Sequence, residues 1–242
     1  MKGNLTVTTS WDDGTVTDIR LAELLYKYKV KGTFYISRCR EQKLLSESNI
    51  IEISKEFEIG CHTISHHDLT KLLPPVMVGE IGDSKKYLEN LLSHRVRMFC
   101  YPEGRYNKTV KRLVEAGGFL GSRTCRPMGF DLTKRFCQLD ITMPASNDSP
   151  LMDLKTCAKL SLWLSFDYWF NWETRAKILF DLALRKGGIY HIYGHSAELD
   201  DNNGWNMLEG VLVRISNQDE VKYMTNGEIF EEQKRCQEFK RK

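Results

Sequence analysis

The sequence predicts an α/β protein in which parallel strands alternate with helices. Short β-branched runs alternate with amphipathic stretches of roughly 10 to 15 residues, which is typical of parallel β/α packing. No repeat, linker or low-complexity segment divides the 242 residues, and this length is normal for a single α/β barrel. We therefore expect one domain over residues 1–242.

The first half of the chain has the pattern of regular β/α units. Residues 4–9 alternate and are β-branched, as in a strand, and Gly14 then allows a turn into a helix over residues 16–28. Ser46 is the expected N-cap of a second helix, and Pro74 opens a third. Further strands are predicted at 32–37, 58–61, 96–100 and 119–123, and a fourth helix at 108–116.

The second half is less regular. Periodicity is lost over residues 125–153, which predicts an irregular loop with a short strand near Leu139 to Met143. The aromatic segment 160–172 indicates a buried helix that packs against the core. The alternative is an apolar surface that binds a lipid-linked substrate. Beyond it, helices are predicted at 173–185, 205–213 and from Asn226, and strands at 189–193 and near 221–224.

Composition bears on partners and location. The net charge of +3 argues against nucleic acid as the main partner, because phosphate neutralisation needs a basic excess on one face. Seven cysteines form an odd set without a C-x-x-C pair, which indicates reduced thiols and a cytoplasmic location. No apolar run has the length of a signal peptide or a membrane helix, so we expect neither.

Two adjacent carboxylates, Asp12 and Asp13, follow the first strand. Taken alone, such a pair is more often an N-cap with a solvated partner. His62 and His66 also follow a strand, and their spacing places both imidazoles on one face of a helical turn. His195 stands at a third strand end, and strand ends of this type converge on one mouth of a β/α barrel.

These residue types are suited to metal-assisted hydrolysis. Two imidazoles and one carboxylate leave a tetrahedral ion with an open position for water, as in a catalytic zinc site. The ion can lower the pKa of that water to about 7, which makes it a nucleophile for a carbonyl carbon. A second carboxylate can take the proton of the water, and a histidine opposite can give one to a leaving amine.

Four stretches of the chain occur in an informative order. They are Trp11-Asp12-Asp13-Gly14, His62-Thr63-Ile64-Ser65-His66, Tyr101-Pro102-Glu103-Gly104 and Gly194-His195. In order and residue type they resemble the motifs of the polysaccharide deacetylase family, also called the NodB-homology or carbohydrate esterase family 4 proteins. The third stretch continues to Asn107, and its pattern Tyr-Pro-x-Gly-Arg-Tyr-Asn, with a late Gly-His-Ser, is similar to a variant branch of that family.

The resemblance implies a fold, an activity and a set of roles. The fold would be a distorted or incomplete (β/α)7–8 barrel, and the activity would be removal of acetyl from N-acetylated sugars with zinc or another divalent ion. Asp13, His62 and His66 would bind the metal. Asp12 would be the general base and His195 the general acid.

The resemblance also implies contacts with the substrate. These would be made by Tyr101, Pro102, Glu103 and Gly104. The main-chain N–H of Glu103 would help to hold the oxyanion, and a backbone donor survives a change of side chain.

The sequence departs from the usual family pattern in three places. Cys100 stands where the third motif normally has an arginine, and the usual partner of that arginine, Asp-x-x-Asp-Trp, is not found. The loss of the arginine together with its acidic partner is consistent, because either charge left unpaired in a buried site would be destabilising. We expect Arg123 to replace the missing charge, with Arg105 as the second choice. Tyr193 takes the place of a leucine, which predicts a smaller or more polar acyl pocket.

Three further residues could be confused with site residues. His67 is expected to face away from the paired histidines on a helical turn, and His191 is expected to serve the core. Glu198 could anchor either His195 or the substrate.

The function that we predict is a cytoplasmic metal-dependent hydrolase that removes an N-acetyl or N-formyl group from an amino sugar or a soluble or lipid-linked glycan precursor. One alternative is hydrolysis of another linear or cyclic C–N amide bond. The other is a catalytically impaired sugar-binding protein. Asp12 and His195 speak against the latter, since binding alone needs neither an acid nor a base.

Overall fold

The computed structural model of the chain describes residues 5–39, 43–130, 138–147, 171–201 and 203–240. Within these residues, nine strands form one sheet and all of their pairings are parallel. They are β1 (Leu5–Asp13), β2 (Gly32–Ile36), β3 (Glu58–Cys61), β4 (Met98–Cys100), β5 (Gly121–Arg123), β6 (Gln138–Leu139), β7 (Met143–Pro144), β8 (Gly188–Gly194) and β9 (Val221–Tyr223).

Helices alternate with these strands, as predicted. They are α1 (Asp18–Lys27), α2 (Glu47–Ser54), α3 (Pro74–Leu92), α4 (Lys108–Ala116), α5 (Trp172–Lys186), α6 (Gly204–Ile215) and α7 (Asn226–Lys240). Ser46 caps α2 as expected, because its hydroxyl accepts the N–H of Asn49 at 3.2 Å. Three short 3₁₀ helices, Leu69–Lys71, Pro102–Gly104 and Ser196–Asp200, follow β3, β4 and β8.

The strand order is β6-β5-β4-β3-β2-β1-β8-β7, and β9 also pairs with β1. In the described part of the chain this order ends at β6 on one side and at β7 on the other. The sheet is therefore a distorted, incomplete β/α barrel, and the predicted fold class is confirmed.

β1 lies inside the sheet, between β2 and β8, and fixes the level of their carboxyl ends. Trp11 is paired with Gly194 in β8, and Asp13 is paired with Ile36 in β2. The residue that follows β8, His195, is therefore brought to the level of Asp12. Parallel strands expose all of their carboxyl ends at one side of the sheet, which is where β/α barrels carry active sites.

The prediction of one short strand near Leu139 to Met143 is wrong. Two strands of two residues each stand there, β6 beside β5 and β7 beside β8, at opposite ends of the strand order. Between them the backbone changes partner, because the N–H of Thr142 donates to the carbonyl of His191 at 2.8 Å. The apolar residues of this run are still buried, which is why the alternating pattern resembled one strand.

Among the described residues, no helix combines the length and the apolarity needed to cross a bilayer. The aromatic segment 160–172 lies outside the described residues as far as residue 170, so its two interpretations remain predictions. Trp172, its last residue, begins α5 and is buried.

Candidate active site

The carboxyl ends of β1, β3 and β8 carry the predicted catalytic residues to one mouth of the barrel. Asp12 and Asp13 end β1 and are buried, with 3% and 8% of their surface exposed. His62 directly follows β3, and its Nε2 lies 3.7 Å from Asp12 Oδ2. The charges of both aspartates act on His195, which directly follows β8. The structure therefore brings these four side chains together.

Asp13, His62 and His66 form a compact cluster of possible ligand atoms. Asp13 Oδ1 lies 3.4 Å from His66 Nε2 and 3.8 Å from His62 Nε2. The two Nε2 atoms are 3.1 Å apart, and the three ligand atoms all lie within 4.8 Å of one another. Two imidazoles and one carboxylate in this arrangement are a typical donor set for zinc.

A hydrogen bond determines which nitrogen of His62 is available to a metal. The buried Nδ1 lies 3.0 Å from the main-chain oxygen of Cys100. A carbonyl oxygen can only accept, so Nδ1 carries the proton and Nε2 keeps its lone pair toward Asp13 and His66. Burial lowers the pKa of His62 to about 4, so its imidazole is neutral at pH 7. The residues present therefore fit a divalent ion.

The segment that carries the two histidines is a loop, and the prediction of a helical turn is wrong. Thr63 and His66 have left-handed φ values of 63° and 55°. Thr63 Oγ1 accepts the N–H of His66 at 3.1 Å, which stabilises the bend. Asp13 also has a positive φ, 83°. Such backbone costs of order 1–3 kcal/mol per residue and clusters at functional sites.

A second cluster, formed by Asp12, His62 and Cys100, has similar spacing. There the guanidinium of Arg123 donates through Nη2 to both carboxylate oxygens of Asp12. This fixed positive charge occupies the side of Asp12 that would face a cation. Burial raises the pKa of the Cys100 thiol well above its usual range, and a protonated thiol is a poor metal ligand. The cluster of Asp13, His62 and His66 is the better candidate.

Asp12 is held as a buried carboxylate. Burial by itself would raise its pKa, but the positive charge of Arg123, together with that of His195, holds the pKa of Asp12 well below its usual range. The Cys100 thiol lies 3.6 Å from Asp12 Oδ2 and donates to it. The carboxylate is therefore ionised at neutral pH.

The structure also distinguishes the two candidate arginines. Arg123, at the end of β5, is fully buried against Asp12. Arg105 is half exposed, and its Nη1 pairs with Asp68 at 3.0 Å and with Glu103 at 2.9 Å. The contact with the predicted base is thus made by Arg123.

His195 is held by Glu198. Its Nδ1 lies 3.0 Å from Glu198 Oε1. Burial would lower the pKa of His195, but the hydrogen bond to Glu198 and the charges of Asp12 and Asp13 raise it to about 9. The imidazolium is therefore stable at pH 7, with Nδ1 turned to Glu198.

The predicted substrate residues differ in their surroundings. Tyr101 and Pro102 are buried. The hydroxyl of Tyr101 accepts a hydrogen bond from Ser122 Oγ at 3.0 Å, and its ring stacks on Tyr106 at 4.7 Å. These contacts place the Tyr101 side chain in the core behind the mouth.

Glu103 and Gly104 form a left-handed turn at the mouth, with φ values of 54° and 66°. Gly104 lies so close to Cys125 that an added Cβ would meet the Cys125 Cβ at 2.8 Å. The ring of Tyr193 lies 5.9 Å from that of His195. The Tyr193 side chain therefore lies beside His195.

A cavity of about 310 Å³ opens beside His195. It is lined by Cys125, Pro127, Ile141, Pro144, Ala145, Ser146, Tyr193, Gly194, His195 and Glu198. The cavity gives a ligand access to His195 and to the ring of Tyr193.

The two other histidines near the site have different surroundings. His67 is exposed. His191 is fully buried, with Nε2 2.8 Å from Ser10 Oγ and Nδ1 3.0 Å from the carbonyl oxygen of Asp140. His191 thus lies in the core, as expected, and His67 lies at the surface.

Sequence reasoning missed two supporting carboxylates. Glu80, in α3, accepts hydrogen bonds from the loop that carries His66. Asp18, at the start of α1, is fully buried and accepts a hydrogen bond of 2.5 Å from the Ser196 hydroxyl, next to His195. No local pattern marks either residue, because each acts on a loop that is distant in the sequence.

Comparison with known proteins relates this geometry to a family. The family model for polysaccharide deacetylases matches residues 2–121, which contain Asp12, Asp13, His62 and His66. A Bacillus subtilis (strain 168) protein named as a polysaccharide deacetylase, YxkH, is 30% identical over 125 residues. These are 50% of this chain and 45% of that protein, so the chain spans less than half of the length of this relative.

Solved structures share the fold over nearly the whole chain. A Mycobacterium smegmatis protein named as a polysaccharide deacetylase has a TM-score of 0.69 at 15% identity, covering 97% of this chain and 92% of that one. The chitin deacetylase of the fungus Colletotrichum lindemuthianum has a TM-score of 0.62 at 14% identity, covering 94% and 89%. The family model places residues 2–121, about half of the chain, in the polysaccharide deacetylase family, and the solved structures show that the same barrel extends over the rest of the match.

Proposed function

We propose that the chain is a metal-dependent hydrolase that removes an N-acetyl or N-formyl group from an amino sugar or glycan precursor. The observation that carries the proposal is that the possible ligand cluster of Asp13, His62 and His66 lies beside Asp12, which is paired with Arg123, and that His195, paired with Glu198, stands at the neighbouring strand end. Binding of a sugar would require neither Asp12 nor His195. The names of the relatives, among them a chitin deacetylase, support an N-acylated sugar as the substrate.

Asp13, His62 and His66 would hold the metal. We propose zinc, because imidazole nitrogen and carboxylate oxygen are among its preferred donors. When bound, such an ion supplies a Lewis acid for the amide carbonyl and lowers the pKa of water. The Cys100 carbonyl holds His62 in the required tautomer.

Asp12 would take the proton of the attacking water. Each carboxylate oxygen has two lone pairs, so the hydrogen bonds from Arg123 and Cys100 leave capacity for a further donor. Arg123 keeps Asp12 ionised and fixes its orientation. In this proposal it supplies the positive charge that the third motif of this chain lacks.

His195 would give the proton on Nε2 to the leaving nitrogen. Glu198 would remain hydrogen-bonded to Nδ1 and would stabilise the imidazolium until the proton is transferred. Because the pKa of His195 is about 9, its imidazole is protonated at neutral pH, where Asp12 is ionised. The two groups therefore have the protonation states that base and acid catalysis need.

The substrate would enter at the cavity beside His195. We propose that the Tyr193 side chain and the main-chain N–H of Glu103 contact the acyl group. The short Tyr101–Gly104 segment would form the wall that carries this N–H.

We also propose a cytoplasmic location. It rests on the cysteines alone: within the described residues Cys39, Cys61, Cys100, Cys125 and Cys236 are free thiols, which is usual in a reducing compartment.

The test is release of acetate or formate from N-acylated glucosamine oligosaccharides by zinc-loaded and by chelated protein. Asp12→Asn should lower turnover by about 10²–10⁴-fold while one equivalent of zinc stays bound. Asp181→Asn, a surface change in α5, is the matched control and should leave turnover unchanged.

Each other outcome has a meaning. Bound zinc without turnover on any substrate would favour a sugar-binding protein. Activity on cyclic amides or ureides alone would favour another C–N hydrolase. An active Asp12→Asn enzyme would remove the assigned base.

A further inference from the structure

Glu80 connects helix α3 to the loop that carries the two histidines. Its Oε2 accepts the N–H of Ile64 at 3.0 Å and the N–H of Ser65 at 2.9 Å. Its Oε1 accepts the Ser65 hydroxyl at 2.8 Å. One carboxylate therefore receives three hydrogen bonds from two residues that lie between His62 and His66.

The conformation of this loop requires outside support. Thr63 and His66 flank the segment, and both are left-handed. The left-handed region is unfavourable for a β-branched residue such as Thr63, and it persists only when the surroundings over-determine it. The carbonyl of Ile64 is held from the opposite side, where it accepts the N–H of Arg38 at 2.8 Å.

We propose that Glu80 is a positioning residue of the metal site. By fixing the peptide groups of Ile64 and Ser65, its carboxylate keeps the bend that turns His66 back toward His62. It acts through the backbone and does not itself touch the ligand atoms. This inference rests on the proposed function, because it assumes that the two histidines share an ion.

The mechanism predicts how different side chains at position 80 behave. Alanine removes all three acceptors, so the loop relaxes and one ligand is misplaced. Glutamine keeps an oxygen that can accept both N–H groups and an amide group that can donate to Ser65 Oγ. If position and not charge is what Glu80 provides, glutamine should largely restore the site.

The experiment measures the zinc affinity of metal-free protein by competition with a chromophoric chelator. The visible spectrum of the Co²⁺-loaded protein reports on ligand geometry. Glu80→Ala should weaken zinc binding by about 10–100-fold, the range for residues that orient metal ligands, and should alter the Co²⁺ spectrum. Glu80→Gln should stay within about threefold of the wild type.

A matched control lies on the same helix. Glu89 accepts the main-chain N–H of Val96 at 2.9 Å, so Glu89→Ala also removes a carboxylate that holds a loop, but away from the site. This variant should bind zinc as the wild type does. Should Glu80→Ala fail to fold, Ser65→Ala, which removes one of the three bonds, should still weaken zinc binding by a few-fold.

The outcomes separate this inference from the proposed function. Wild-type protein that binds no zinc would overturn both. Wild-type binding together with unchanged affinity in Glu80→Ala, or in Ser65→Ala where only that variant folds, would overturn the role of Glu80 alone. A Glu80→Gln variant as weak as Glu80→Ala would mean that charge and not position is at work, which also overturns it.

Discussion

Arg123 and Asp12 are 111 residues apart in the sequence and form a buried ion pair across the mouth of the barrel. Exposure of the two side chains is 0% and 4%. The guanidinium also lies 4.7 Å from the centre of the Tyr193 ring. The Arg123 side chain thus connects the predicted base to β5 and β8. Its loss would leave the buried charge of Asp12 without the guanidinium that pairs with it.

Replacing Arg123 by alanine should therefore be strongly destabilising. Breaking a buried ion pair by removing one partner costs about 3–5 kcal/mol, and we expect this loss in the free energy of unfolding measured with urea. Turnover should fall as well, because Asp12 loses both its orientation and the charge that keeps its pKa low. Arg105→Ala is the control: its side chain is half exposed, and its buried partner Asp68 keeps two hydrogen bonds from Thr70, so a loss of only about 0–1 kcal/mol is expected. Equal losses in both variants would contradict the assignment.

The sequence allowed Arg123 to be anticipated at the site for two reasons: the family resemblance leaves a positive charge to be supplied, and the strand ends are predictable. Arg123 was placed at the end of a strand, and the ends of parallel strands meet. The same reasoning anticipated the meeting of Asp13 with His62 and His66. This reasoning could not predict the backbone conformation between His62 and His66. Their spacing suits a helical turn as well as a loop with two left-handed residues.

Contacts without a local pattern were beyond prediction. Ser196 and Asp18 are 178 residues apart, and their hydrogen bond depends on the register between β1 and β8. Glu80 has the helical neighbours of any surface glutamate, and nothing in α3 indicates that it serves a loop. The sequence did not reveal that the backbone pairs with β5 at β6 and with β8 at β7. Alternating apolar residues indicate which side chains are buried, but not which strand the backbone is hydrogen-bonded to.

Glu198 should control the alkaline limb of the pH profile. Its hydrogen bond and charge, with Asp12 and Asp13, raise the pKa of His195 from 6.5 to about 9. In Glu198→Gln the charge is lost, so the pKa of His195 should fall and the decline of kcat/KM at high pH should begin at lower pH. Profiles of acetate release between about pH 6 and 10 would measure this shift. The surface variant Glu209→Gln should keep the wild-type limb, and an unmoved limb in Glu198→Gln would rule out this role.

Asp18 should make stability fall as the pH rises. Burial, reinforced by the charges of Asp13 and Asp12, raises its pKa from 3.8 to about 8. The folded protein therefore keeps a proton that the unfolded chain releases. The resulting stability is fully present below the unfolded pKa of 3.8 and is lost as the pH rises through about 8. Its slope reaches at most about 1.4 kcal/mol per pH unit.

Asp18→Asn should remove this dependence, since an amide cannot ionise. Urea unfolding at about pH 5 and about pH 8 should show the wild type losing stability relative to the variant as the pH rises. The exposed Asp83→Asn variant should follow the wild type. Parallel curves for the wild type and Asp18→Asn would mean that Asp18 is already ionised in the folded protein.

Zinc should stabilise the folded protein by an amount that rises with the logarithm of the zinc concentration above Kd. An ion that binds only the native state at about 100 times its Kd adds about 2.7 kcal/mol to the free energy of unfolding, which raises Tm. His66→Ala removes one of three proposed ligands, so most of this rise should disappear. His67→Ala changes the adjacent, exposed imidazole and should keep it. Equal loss in both variants would show that zinc binds a surface histidine cluster, because only the assigned ligand set distinguishes the two neighbours.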